Sequence, residues 1–218
     1  MAQTFHRSTN LLARVSIFGG LLILGGLAFA LYEIALSPWY TEQYAVRQQP
    51  VPFSHRHHAG ELGIDCRYCH TSVEKSSFAG LPPTQTCMTC HSQIWTNSSM
   101  LEPVRASYRD NVSLAWTRVN ALPDFVYFDH SIHISKGIGC TTCHGSVASM
   151  ALTYRRGTLY MSWCLNCHRQ PEKYVRPRSE VFNPFYRPPS GEEQLALGRK
   201  LVKEYKIQTL QYCDTCHR

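Results

Sequence analysis

The sequence predicts a mainly α-helical chain with much irregular structure, one apolar helix at its N-terminus and little sheet. Three observations predict it. Residues 15–32, "VSIFGGLLILGGLAFALY", are uncharged over nearly the ~20 residues that a bilayer-spanning helix needs. All ten cysteines fall in five Cys-x-x-Cys-His pentapeptides. The stretch "FSHRHHAGELGIDCRYCH" from Phe53 returns, lightly edited, as "FDHSIHISKGIGCTTCH" from Phe128.

Residues 1–36 read as an N-terminal segment and transmembrane anchor. Arg7 and Arg14 precede the apolar run with no acid before it, which places the N-terminus in the cytoplasm and the rest of the chain across the membrane. Glu33 falls near the far interface, and Trp39 and Tyr40 suit the aromatic belt there. A cleaved signal peptide is the rival reading, but the apolar run is long for one and no clean Ala-x-Ala site follows it. Gly19, Gly20, Gly25 and Gly26 have a spacing that permits close contact with another helix. Residues 37–52, with Pro38, Pro50 and Pro52, read as an extended linker.

Residues 53–218 hold the motifs: Cys66, Cys69 and His70; Cys87, Cys90 and His91; Cys140, Cys143 and His144; Cys164, Cys167 and His168; Cys213, Cys216 and His217. A Cys-x-x-Cys pair can be a disulfide, half of a zinc site or a covalent haem anchor, and only the last requires the adjoining histidine. Seventeen residues separate Cys69 from Cys87 and twenty separate Cys143 from Cys164, gaps that also suit a zinc ribbon. Four thiolates already fill a tetrahedral site, however, so five histidines would be surplus and Cys213 and Cys216 would have no companion pair. Disulfides give the histidines no reason either. Two thioether bonds holding a porphyrin edge, with the next imidazole beneath the iron, explain the whole pattern. The expected cofactor is haem c, five copies, covalently bound. The predicted fold is thus one transmembrane helix plus a multihaem cytochrome c domain wrapped around five haems.

Composition agrees. The formal net charge is +7 from 22 Lys and Arg against 15 Asp and Glu. Each ferric haem with ionised propionates adds about one negative charge, which cancels most of that excess. Many basic side chains then become propionate or lipid partners, and no basic run or motif points to nucleic acid.

The repeat divides the domain. Two-haem modules span about 53–91 and 128–168, the second copy having one residue fewer between its histidines and its first motif. Residues 92–127 carry no haem signature, and 171–190 form a proline-rich, non-helical arm. Residues 191–212 read as a helix with Leu195, Gly198, Leu201, Val202 and Tyr205 on one face, delivering a terminal haem site within 191–218.

Sixth ligands come next. His55 and His58, like His130 and His133, are spaced i and i+3 and emerge from one face of a helical turn, so each pair can serve two neighbouring haems. His6 lies on the wrong side of the anchor. Four such histidines leave one iron to supply. Met161, three residues before Cys164, is the favoured donor; Met150, Met100, His57 and a vacant position stay open.

With anchor, duplicated modules and terminal motif in place, the haem modules resemble the class III multihaem cytochromes c. The whole chain is similar to the membrane-anchored pentahaem cytochrome subunit of alternative complex III. "LPPTQTCMTCH" and "YMSWCLNCHR" add to the likeness, which covers residues 11 to 218. The resemblance implies an electron-transfer subunit of a quinol:electron-acceptor oxidoreductase in the inner membrane, with the haem domain on the periplasmic side. It implies as partners an iron–sulfur and molybdopterin-oxidoreductase-like subunit, an integral quinol-binding subunit and a monohaem cytochrome c. The chain would be a carrier and not a catalyst on its own. An anchored multihaem quinol dehydrogenase, which oxidises quinol itself and feeds a reductase, is the alternative; a multihaem reductase with an open iron position is a weaker one.

Overall fold

The computed structural model describes residues 4–217. The chain falls into two compact units divided between Gln43 and Tyr44.

The first unit is built on α1 (Ser8–Leu36), 29 residues of mean hydropathy 2.1 in its most apolar window, with no residue buried. By length and composition it can cross a membrane. Its apolar side chains point outward all round, from Leu12 to Leu31, as suits a lipid solvent and not a soluble core. Ser37 ends it in an extended conformation and caps α2 (Pro38–Thr41), a single turn started by proline. The stretch expected to be wholly extended therefore begins with a helical turn.

The second unit is a string of short helices. In order they are α3 (Cys66–Cys69), α4 (Thr84–His91), α5 (Glu102–Asp110), α6 (His130–Ser135), α7 (Cys140–His144), α8 (Met161–Arg169), α9 (Gly191–Glu204) and α10 (Cys213–Cys216). Among the described residues, the extended pairing is confined to isolated bridges, Val46 with Tyr154, Val126 with His217 and Ile138 with Val175. Two small apolar clusters stand in for a core: Ile138, Val175, Leu201 and Tyr205 in one, Val51, Leu101 and Val104 in the other. Cys143 and Cys167 pack on the first, Cys87 on the second, so the polypeptide's own apolar packing is gathered around the motifs.

The duplicated modules differ by one residue, and a π turn absorbs it. In the second module α6 is α-helical and Ile138 donates its N–H to the His133 carbonyl, five residues back. In the first, residues Arg56–Glu61 form a π-helix and the equivalent Ile64 bonds to His58, six residues back. An extra residue inside a helical turn is accommodated by widening that turn. Both modules therefore keep the same geometry on either side of the insertion.

The helix expected over 191–212 stops at Glu204. Lys206 takes a left-handed φ of 51°, and Ile207 turns back to bond the Val202 carbonyl. The last motif is thus delivered on an irregular strap after the helix. Tyr127 holds that strap by donating to the Cys216 carbonyl at 2.8 Å.

Candidate functional site

Each Cys-x-x-Cys-His lies on or at the end of a helical turn. In a turn, residues i and i+3 share a face and i+4 follows on it, so both thiols and the imidazole emerge together. α4, α7 and α8 contain their histidines; His70 and His217 sit just past the ends of α3 and α10.

No disulfide joins any of the ten cysteines. Burial pushes Cys143 up to about 12 and Cys167 up to about 11, aided by neighbouring cysteines. Zinc ligation requires thiolates, and among the described residues no three His, Cys, Asp or Glu side chains converge as a metal-ion site would need. The zinc-ribbon gaps in the sequence do not become ribbons.

The histidines do come together, in pairs drawn from different elements. The rings of His58 and His91 have centroids 6.2 Å apart, those of His133 and His168 6.1 Å, and those of His130 and His144 6.4 Å. His55 neighbours His70: burial first, then His70, His58 and His144, pushes His55 down to about 4. His144 is driven down to about 4 by burial and by His130 and His70. These buried imidazoles are neutral at pH 7, the form that binds a metal.

Nδ1 is occupied in eight of the nine motif and repeat histidines. His58 donates to the Ser54 carbonyl at 2.9 Å and His133 to the equivalent Asp129 carbonyl at 2.6 Å. His130 donates to the Ser77 carbonyl at 2.8 Å and His70 to that of Gly80 at 2.7 Å. His91 reaches the Ile94 carbonyl at 3.2 Å and His217 that of Phe125 at 3.3 Å. His55 bonds Thr153 Oγ1 at 2.9 Å, and the Asn120 carboxamide lies 3.2 Å from His144 Nδ1. Where that partner is a carbonyl, Nδ1 carries the proton and Nε2 is the free nitrogen.

The motifs also adjoin one another in an order the sequence does not give. Cys69 neighbours Cys87; Cys66 neighbours Cys140; Cys143 neighbours Cys164 and Cys167; Cys164 neighbours Cys216. The second motif is therefore at one end, followed by the first, third, fourth and fifth.

The candidates for the odd ligand separate. His57 points outward and pairs with Glu61 Oε2 at 3.0 Å. Met150 is buried, at 4% exposure, with its carbonyl accepting from Arg56 N–H. Met100 and Met161 are exposed, and Met161 opens α8, whose Cys164 neighbours the last motif.

Comparison with known proteins adds a family. Residues 126–218 match the cytochrome c7 and related cytochrome c family, and residues 35–113 match the class III cytochrome c family. A relative from Nitratidesulfovibrio vulgaris, the multihaem cytochrome c subunit of a menaquinone reductase, is 32% identical over 146 aligned residues, covering 57% of this chain and 70% of the relative. The chain belongs to the multihaem cytochrome c family.

In a multihaem cytochrome c the group held by these motifs is covalent c-type haem, and the side chains present fit it. Two imidazoles binding one metal from opposite sides, through bonds of about 2.0 Å, have centroids about 6.3 Å apart. The three measured ring pairs lie within 0.2 Å of that spacing. The carbonyl-bonded Nδ1 atoms of His58, His91, His130 and His133, which leave Nε2 free, complete the fit. Sequence reasoning missed the second partners of the imidazoles. Thr153 and Asn120 carry no pattern of their own, and most of the others are backbone carbonyls, which any residue supplies.

Proposed function

We propose that this chain is the electron-transfer subunit of a membrane quinone–quinol oxidoreductase complex, carrying five covalent c-type haems. The observation that carries the reading is the set of imidazole pairs at metal-bridging distance, each joining one motif histidine to one repeat histidine. His91 takes His58, His144 takes His130, His168 takes His133, and His70 takes His55; His217 takes Met161. Haem bound there supplies a one-electron ferric–ferrous couple at each site.

The residues of the chain do the rest. The cysteines would fix the haem's position, the paired imidazoles would hold its iron, and the Nδ1 partners fix the rings. With every position filled, the sites relay electrons and do not turn over substrate. The order of neighbouring motifs makes the second and fifth the two ends of the path. The N. vulgaris relative is named for menaquinone reduction, whereas the resemblance to alternative complex III implies quinol oxidation. In this reading a quinone-reactive membrane partner would lie at one end and a redox protein at the other. The partners proposed are an iron–sulfur and molybdopterin-oxidoreductase-like subunit, an integral quinone-binding subunit and a monohaem cytochrome c. Helix α1 would anchor the chain in the inner membrane, N-terminus inside and haem domain outside.

Pyridine haemochrome analysis with intact mass tests the reading: five covalent haems per chain are expected, and fewer haems with tightly bound zinc would overturn it. One observation favours the alternative, a chain that itself oxidises quinol. A solvent-open depression of about 370 Å³, lined by Val46, Ser146, Ser149, Met150, Leu152 and Tyr154, adjoins in sequence Thr153, the partner of His55. Quinol-dependent reduction by the purified chain alone would establish that alternative; an inert chain rejects it.

A further inference from the structure

The strongest unassigned feature is a phenylalanine at the start of each repeat. The Phe53 ring stacks on His58, with centroids 4.4 Å apart and planes 25° apart, and meets His55 edge-on at 4.9 Å and 87°. Phe128 repeats this in the other module: 4.5 Å and 26° to His133, 4.8 Å and 89° to His130. The two copies agree within 0.1 Å and 2° although one sits on a π turn and the other on an α-helix. A geometry kept through a change of helix type reflects a local three-ring contact and not the backbone around it.

We infer that Phe53 and Phe128 are positioning residues that set the planes of the distal imidazoles, and through them the electronic character of the irons; this rests on the ligand pairs proposed above. A bound imidazole keeps one soft freedom, rotation about the bond from Nε2 to the metal. The Nδ1 bonds of His58 and His133, both to the carbonyl four residues back, restrain that rotation at one atom. The stacked phenyl restrains the whole plane. The plane so fixed crosses that of the partner ring: His58 meets His91 at 64°, and His133 meets His168 at 71°. His130, edge-on to Phe128, lies instead 4° from the plane of His144. One phenyl thus holds one ligand pair crossed while the neighbouring pair stays parallel.

Crossing matters because imidazole π-orbitals split the two iron d-orbitals that they overlap. Parallel rings act on one of the two and separate them, whereas crossed rings act on both and leave them close in energy. Ferric iron with crossed ligands has a larger principal g value than iron with parallel ligands.

The test is low-temperature EPR on the full-length holoprotein. Phe128→Leu should shift the large g value of the iron held by His168, and Phe53→Leu that of the iron held by His91. Phe128→Tyr and Phe53→Tyr, which keep the ring, should leave the spectrum as in the wild type. Haem content should stay complete in all four. If a leucine variant loses haem, Phe128→Met, which keeps bulk without a ring plane, is read in its place. Unshifted g values in fully loaded leucine or methionine variants overturn the inference, as does an equal shift at every iron. Failure of the underlying ligand assignment would look different, because the wild-type spectrum itself would then lack the crossed signals.

Discussion

The imidazoles of His130 and His144 are parallel within 4°, at 6.4 Å, whereas His133, three residues from His130, meets His168 at 71°. Two distal ligands on one short helix thus present opposite orientations to neighbouring sites. The oxidised protein should therefore show mixed low-spin EPR signals: at least two of the crossed type, from the sites of His91 and His168, and one of the parallel type from that of His144. His130→Ala should remove the parallel signal alone, measured by integrating each species. Five identical spectra would contradict the ring geometry.

Thr153, in the second module, bonds Nδ1 of His55, in the first, at 2.9 Å. An acceptor at Nδ1 makes the imidazole a better donor and stabilises ferric iron. Thr153→Val removes the hydroxyl and keeps the shape. A hydrogen bond of about 1 kcal/mol corresponds to about 40 mV for one electron, so one midpoint should rise by roughly that amount. Spectroelectrochemical titration reads it, with the other four midpoints unmoved.

Much of this site was legible in the sequence, for reasons tied to particular residues. Local spacing fixes which side chains share a turn, so the five motifs and the pairs at His55 and His130 could be read directly. The repeat exposed the one-residue difference between modules but not the π turn at Arg56–Glu61 that absorbs it. The order in which the motifs adjoin was not legible, because the contact of Cys66 with Cys140 depends on how two modules dock. The helix drawn to residue 212 was too long. Apolar periodicity continues past Glu204, but a left-handed residue at Lys206 ends it.

The buried imidazoles give stability a pH dependence. His55 and His144 titrate near 4 in the folded chain against 6.5 when unfolded. As pH falls below about 6.5 the unfolded chain takes up protons that the folded one refuses, so stability declines, and their contribution levels off below about 4. Iron at Nε2 excludes the proton in the same sense. Denaturant midpoints of the holoprotein should be similar at pH 8 and 7 and fall steadily between 6 and 4.5. A midpoint that rises on acidification would contradict the burial of these rings.

Gly198 lies on the face of α9 that packs against the turn at Pro171–Lys173. A Cβ there would fall onto the Glu172 carbonyl, a backbone atom that cannot step aside. The same turn accepts two hydrogen bonds from Gln194, at 3.2 Å to Glu172 and 3.0 Å to Val175. Gly198→Ala should cost about 1–3 kcal/mol, measured by chemical denaturation. Because α9 leads into the last strap, the haem at Cys213 and Cys216 should be the one most perturbed.

The last prediction concerns the odd ligand. Three repeat histidines pair with motif histidines at 6.1–6.4 Å and His55 neighbours His70, while His217 meets Phe125 at 5.8 Å. His57 is engaged with Glu61, and Met150 is packed inside. Met161 is 65% exposed at the first position of α8, one turn from Cys164, which neighbours Cys216. Thioether gives less electron density than imidazole and favours ferrous iron, so a His217–Met161 haem should have the highest midpoint of the five. Met161→Leu should abolish the weak near-infrared sulfur-to-iron band and lower that midpoint, whereas Met150→Leu should leave both unchanged. An intact band in Met161→Leu would transfer the role to Met100 or Met150. A highest potential at His217 would place the fifth motif at the electron-accepting end of the path, since the other end, at Cys87, would be held by two imidazoles.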